Sequence, residues 1–281
     1  MKANSIATAD TGYASIMVAL HLGPGASDCV RVAAELGERF GSRLIGIGAE
    51  DFVVPYVGDP IGFADASLVE EARAAAAQSL EKAEAMFRAS AGRIDNLEWR
   101  SAIASPGGFI LAHSRAADLV VLARYGSRDA YQGRMGVTPG DLVMDLGRPL
   151  LVVPPNAARL SARRILIAWK DTREARRAVR DALPLLKQAE EVIVLTVGDD
   201  SPEAVADVSA HLRLHGVSAR GVARRKTRHD IAGAVIDYAV EQGADLVVAG
   251  AYGHSRMREW MLGGVTLDLL EETPICCLLS H

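Results

Sequence analysis

From Ser15 onward the chain alternates short, largely apolar runs with longer stretches in which apolar positions recur every three or four residues. In the first half the runs are SIMVALH (15–21), RLIGIGA (43–49), LEWRSAI (97–103), DLVVLAR (118–124) and PLLVVP (149–154). The periodic stretches lie at Ser27 to Phe40, about Ala64 to Ala91, onward from Pro106, and near Thr138 to Leu146. Short apolar runs predict strands buried on both faces, and a 3.6-residue period predicts helices with one apolar face. The predicted order is βαβαβαβαβ.

The second half repeats it. Strands are predicted at RRILIAW (163–169), EVIVLTV (191–197), VSARGVA (217–223), DLVVAGA (245–251) and PICCLL (274–279), with helices from Thr172, Pro202, Asp230 and about Val265. The repeat is visible in the letters: RAADLVVLARYG (115–126) matches QGADLVVAGAYG (242–253), and GRPLLVV matches ETPICCL. Between the copies, PPNAARLSA (154–162) is a proline-led polar link that suits a domain boundary. Parallel strands need crossover helices, so this alternation predicts an α/β fold of two tandem doubly wound, Rossmann-like domains, each with a five-stranded parallel sheet. The expected divisions are a flexible N-terminus at 1–13, a first domain at 14–156 and a second at 161–281. In such sheets ligands bind beyond the carboxyl ends of the strands, where the winding reverses.

Composition sharpens this only a little. The 281 residues are 49% hydrophobic and 23% charged, enough for a sizeable core, and a net charge of -4 offers no global attraction to nucleic acid or an anionic membrane. Cys29, Cys276 and Cys277 have no metal-ligand spacing and read as small core residues in a reducing compartment. The first residues lack the apolar core of a signal peptide and no apolar run is long enough to span a bilayer, so a cytoplasmic location is expected.

The stretch VVAGAYGHSRMREWMLGGVT (247–266) carries the most chemistry. Gly250 closes a strand, where the missing Cβ lets a ligand or a neighbouring backbone approach, and Gly253 permits a turn. Gly263 and Gly264 precede a predicted helix, whose free N–H groups and dipole suit an anion. Thr266 adds a hydroxyl, and Arg256 and Arg258 could counter phosphate charge.

The spacing Gly250-x2-Gly253-x9-Gly263, in a tandem pair of five-strand units, resembles the universal stress protein family, specifically its two-domain members. The resemblance covers residues 14 to 281 or so and implies an adenine nucleotide alpha hydrolase-like fold with strand order 3-2-1-4-5. It implies ATP, with Mg2+ as its companion ion, in the second domain only, in a stress-response and regulatory role. By that likeness Ala249, Gly250, Gly253, His254, Gly263, Gly264, Val265 and Thr266 fall on the ribose and phosphate side. Ala168, Trp169, Lys170, Asp171, Thr196 and Val197 fall toward adenine. Two departures stand out: Lys170 replaces the usual aspartate, so an acceptor is lost there unless Asp171 supplies it, and Gly264 replaces a serine. The resemblance also makes the last strand of each half a dimerisation edge. In one chain those edges should pair with each other, and two chains should associate further as a homodimer.

The first half departs more. Its loop, ARYGSRDAYQGRMGVTPGD (123–141), has Ala123 for the first glycine and retains only Gly126 clearly, while His21 ends the first strand without a carboxylate. Its nucleotide site is read as degenerate. The basic run RRKTRH (224–229) falls after an edge strand and reads as a solvated turn; His113, His211 and His215 fall on helices without i, i+4 pairing into a metal site. No P-loop, nucleophile elbow, zinc-protease helix or C-x-x-C pair is present, and the loop from Tyr252 to Thr266 offers only Glu259 as a carboxylate, so no catalytic residue is assigned. Two rival readings stay open: a nucleotide-free protein-interaction module, and a slow ATPase or nucleotide-transfer enzyme using His254 or Asp171.

Overall fold

The computed structural model describes residues 12–51, 66–124, 134–157, 159–198, 202–225, 231–251, 269 and 273–281. The first half supplies strands β1 (Ser15–Ala19), β2 (Arg43–Ala49), β3 (Leu97–Ala102), β4 (Leu119–Ala123) and β5 (Leu150–Val153). Its helices are α1 (Ala26–Phe40), α2 (Ala66–Ala91), α3 (Pro106–His113) and the short α4 (Pro139–Val143). The second half supplies β6 (Arg164–Ala168), β7 (Glu191–Val197), β8 (Ala219–Arg224), β9 (Leu246–Gly250) and β10 (Cys276–Ser280). Between them run α5 (Arg173–Leu186), α6 (Pro202–Leu214) and α7 (Ile231–Glu241).

All these strands form one ten-stranded sheet in the order β3-β2-β1-β4-β5-β10-β9-β6-β7-β8. Each half therefore has the order 3-2-1-4-5, with parallel neighbours throughout. The halves meet where β5 runs antiparallel to β10, with Leu151 opposite Leu278. The two terminal edges pair inside the chain, as the likeness implied.

Strand alternation sorts the side chains into two cores. One face carries Val18, Ile167, Val194 and Leu278 against α1, α2, α5 and α6; the other carries Met17, Leu166, Ile193 and Leu279 against α3, α4 and α7. Equivalent helices of the two halves thus lie on the same face, which with an antiparallel junction places an approximate twofold axis normal to the sheet. All three cysteines are buried in this core and unbridged, and burial pushes the thiols of Cys276 and Cys277 up to about 12. Among the described residues no helix is long and apolar enough to cross a membrane.

Several predicted boundaries move by a residue or two; α4 is the larger change. A helix was expected from about Thr138 to Leu146, but it spans only Pro139–Val143. Thr138 is its N-cap, accepting from the Asp141 N–H at 3.3 Å, and Gly147 turns the chain at φ 61° into β5.

The N-terminal end of the described chain ties the halves together. Tyr13 is buried, stacks edge-on to Phe40 with centroids 5.3 Å apart, and donates its hydroxyl to the Asp181 carbonyl in α5 at 2.7 Å. Tyr13→Phe keeps the ring and leaves that carbonyl with one partner fewer. It should lower stability by about 1 kcal/mol, read as a shifted urea midpoint at constant slope. An unchanged midpoint would remove this bond from the set that holds the halves.

Candidate functional site

The winding of the second half reverses between β6 and β9. These strands are neighbours, with Ala168 opposite Ala249 and Leu195 of β7 on the other side of Ala168. Alternation along the three strands then divides the expected adenine- and ribose-side residues. Ala168, Val197 and Ala249 pack toward the core under α7, whereas Trp169 packs toward α5 and α6. Thr196, one residue before Val197, is 1% exposed. The side chains at 168 and 249, where these strands end, are both small.

Gly250 is explained by the backbone beneath it. A Cβ there would lie 2.5 Å from the Ala175 nitrogen and 2.7 Å from the Glu174 carbonyl carbon. The first turn of α5 sits directly on the end of β9, so this glycine serves the neighbouring backbone, one of the two roles that its position allowed. In the first half Ala123 stands at that place and is buried without difficulty, because α1 starts further along, after the LGPGAS turn, with Gly25 at φ 77° before it.

The start of α5 collects the polar groups. Thr172 caps it, its hydroxyl accepting from the Ala175 N–H at 3.3 Å. Lys170 is exposed, and Asp171 is paired with Arg176 at 2.5 Å, so its carboxylate is already engaged in place of the aspartate that Lys170 displaces. Sequence reasoning passed over Glu174. It is 2% exposed at the helix start, hydrogen-bonded by Arg173. Burial alone would raise its pKa, but the hydrogen bond and charge of Arg173, its own backbone N–H and the Thr172 hydroxyl outweigh that and hold it below the ordinary glutamate value. The pattern T-R-E-A held a faint signal, since an acidic residue in a capped first turn suits the helix dipole.

Gly253, His254, Gly263, Gly264, Val265 and Thr266 lie outside the described residues, as do all but Leu269 of the helix expected from Val265, residues 52–65 and 125–133, and the end of the basic run at 226–229. Of that run, Arg224 lies over the Tyr238 ring at 4.2 Å and pairs with Glu241 at 3.4 Å, so it is spent on α7. In the first half the corresponding strand end is closed by His21, 1% exposed, whose Nδ1 accepts the Gly23 N–H at 2.8 Å; burial lowers its pKa to about 4.

For a nucleotide, the described part of the second site offers small side chains at the ends of β6 and β9 and the capped start of α5 beside them. Mg2+ has less support. No group of three His, Cys, Asp or Glu side chains suited to a metal occurs among the described residues. The ion would have to be held by phosphates and water. His211 and His215, four residues apart on and just after α6, meet as rings with centroids 4.8 Å apart, although no third metal-binding side chain joins them among the described residues. The i, i+4 spacing alone places them on one helical face.

Residues 161–281 match the Universal stress protein family. A universal stress protein from Synechocystis is 22% identical over 162 residues, covering 56% of this chain and 56% of that relative, so the match spans little more than half the relative's length. A universal stress protein from Archaeoglobus fulgidus superposes with a TM-score of 0.69 at 14% identity, covering 95% of this chain and 96% of that one. A functionally unknown protein from Pseudomonas aeruginosa superposes with a TM-score of 0.55 at 14% identity, covering 97% and 94%. Likeness at that identity is a likeness of fold.

Proposed function

Because residues 161–281 match the universal stress protein family, we propose that the chain is a tandem member whose second half holds an adenine nucleotide and works as a ligand-dependent stress-response module. The family's proteins are regulatory or binding proteins rather than established enzymes. In this reading residues 14–156 form a first domain with a degenerate site, and residues 161–281 a second domain that binds ATP. The base lies above Ala168 and Ala249, and the glycine-rich segment from Gly253 to Thr266 contributes N–H groups to the phosphates. Mg2+ rides on the phosphates. The module acts in the cytoplasm as a homodimer of tandem chains, and the nucleotide shifts the population of its forms by binding one of them more tightly.

The observation that supports this most is the adjacency of β6 and β9 at the reversal of winding, with the glycine-rich segment following β9 directly. A second reading, a nucleotide-free interaction module, draws on Asp171. Its carboxylate is held by Arg176, and Lys170 cannot accept a hydrogen bond in its stead.

The test is to denature freshly purified protein, identify released nucleotide by mass spectrometry, and titrate the emptied protein with Mg-ATP by calorimetry. About one nucleotide per chain, lost in Gly263→Trp, is the expected result. No nucleotide and no heat at millimolar ATP would leave the interaction module. Steady release of ADP, lost in His254→Ala or Asp171→Asn, would instead make the protein a slow ATPase.

A further inference from the structure

The two halves differ in how their helices pack. In the first, α1 and α2 lie against each other; in the second, α5 and α6 stand apart. A cavity of about 1190 Å3 opens over α5, bounded by α6 on one side and by the amino ends of first-half strands on the other. That is at or above the upper end of the few hundred to roughly 1,000 Å3 usual for small-molecule sites.

Its lining is apolar within and charged around the rim. Trp169, Val179, Leu183 and Val208 supply the apolar part. Trp169 is only 6% exposed, yet its indole N–H has no hydrogen-bond partner. A buried donor left in that state costs about 1–3 kcal/mol, which a ligand acceptor would recover. At the rim, Arg148 from the first half and Arg180 from α5 both act on the Asp181 carboxylate through their charge, and neither makes a hydrogen bond or ion pair with another described residue. Three of the lining carboxylates are engaged: Asp181 accepts from the Ser280 hydroxyl at 2.8 Å, Asp118 from the Ala14 and Ser15 N–H groups at 2.9 and 3.0 Å, and Asp171 from Arg176; the fourth, Asp207, is exposed on α6, across the cavity from Arg148 and Arg180.

We propose that this cavity is a second ligand site, for an organic anion with a flat apolar body. The body lies between α5 and α6 on Trp169 and Val208, an acceptor on it takes the Trp169 N–H, and its anionic group meets Arg148 and Arg180. The site goes beyond the nucleotide reading. It runs along the flank of α5, touches the end of β6 only through Trp169 and Asp171, on the opposite sheet face from Ala168 and Ala249, and is complete only when both halves contribute.

Anilinonaphthalene sulfonate, a flat apolar sulfonate, is a suitable probe for the folded full-length chain. One probe molecule should bind per chain with quenching of tryptophan fluorescence that Trp169→Phe largely removes, and Mg-ATP should not displace it. Arg148→Ala with Arg180→Ala should weaken binding at least about tenfold, since charge-assisted hydrogen bonds are lost at exposed positions that do not endanger folding. Val208→Trp, which fills the space, should abolish it. No saturable binding, unchanged affinity in the double variant, or competitive displacement by Mg-ATP would each overturn the proposal. A missing heat with ATP would sink the nucleotide reading alone.

Discussion

Gly250→Ala should destabilise the protein by roughly 1–3 kcal/mol, and Gly250→Val by more. At a site that tolerates it, the same change stabilises by about 0.4–1 kcal/mol, because alanine has fewer unfolded conformations to lose. Here the added carbon meets backbone, at 2.5 Å from the Ala175 nitrogen, so neither a rotamer change nor a small side-chain movement relieves it. The first turn of α5 has to lift from β9, taking Thr172 and the buried Glu174 with it. Gly233 is the control. It lies inside α7 with nothing within 4 Å of an added Cβ, so Gly233→Ala should stabilise by up to about 1 kcal/mol through helix propensity. Thermal and urea unfolding of the two variants should therefore move in opposite directions. If Gly250→Ala moves with Gly233→Ala, the close approach of α5 to β9 is not what keeps a glycine there. On the proposed nucleotide reading, the lifted helix should also weaken Mg-ATP binding, a second readout from the same variant.

The other large effect concerns acid. His21 is buried neutral, with a folded pKa near 4 against an ordinary value of 6.5. The unfolded chain takes up its proton near 6.5 and the folded chain resists until about 4, so the stability from neutral His21 is full above 6.5 and is lost as pH falls toward 4. At about 1.36 kcal/mol per pH unit, this amounts to roughly 2 kcal/mol by pH 5. The depressed carboxylates act lower: Glu174, Glu98 and Glu191 contribute stability that is lost only below about 4.5. Asp181 has the opposite sign, since burial raises its pKa and acid relieves the folded state there. Between pH 7 and 5 the slope therefore carries a His21 component. His21→Asn keeps an acceptor near the Gly23 N–H but cannot titrate. Urea midpoints at the two pH values should fall clearly for the native chain and much less for the variant. Equal losses in both would show that His21 is not the source.

Much of this architecture can be read from the letters, and for a physical reason. Parallel strands covered on both faces must be apolar along their length, so EVIVLTV marks β7 at the same residues, 191–197, in sequence and structure. Thr172 is legible as the start of α5 because a capping hydroxyl next to a 3.6-residue pattern has little other use. The candidate site is less legible. Glu174 looks like any charged residue of a surface helix, and its burial follows only from how closely that helix meets Gly250. Trp169 ends a strand by pattern and falls toward adenine by likeness; that its N–H lacks a partner and that it packs toward α5 and α6 depend on how those helices sit, which no local pattern records. The His211 and His215 contact was within reach, because four-residue spacing on a helix is itself a statement about proximity.

The junction of β5 and β10 has a consequence for how the halves can change. Two separate subunits joined along such an edge would come apart on dilution and would be identical by construction. Here the linker turns association into an intramolecular event whose effective concentration is fixed, on the order of millimolar for a short connection. Dilution cannot part the halves, and each always has one partner of the other kind. A substitution that spoils the first pocket is then never duplicated in the second. One copy is free to lose a ligand and keep its place as a support, while the other keeps the chemistry.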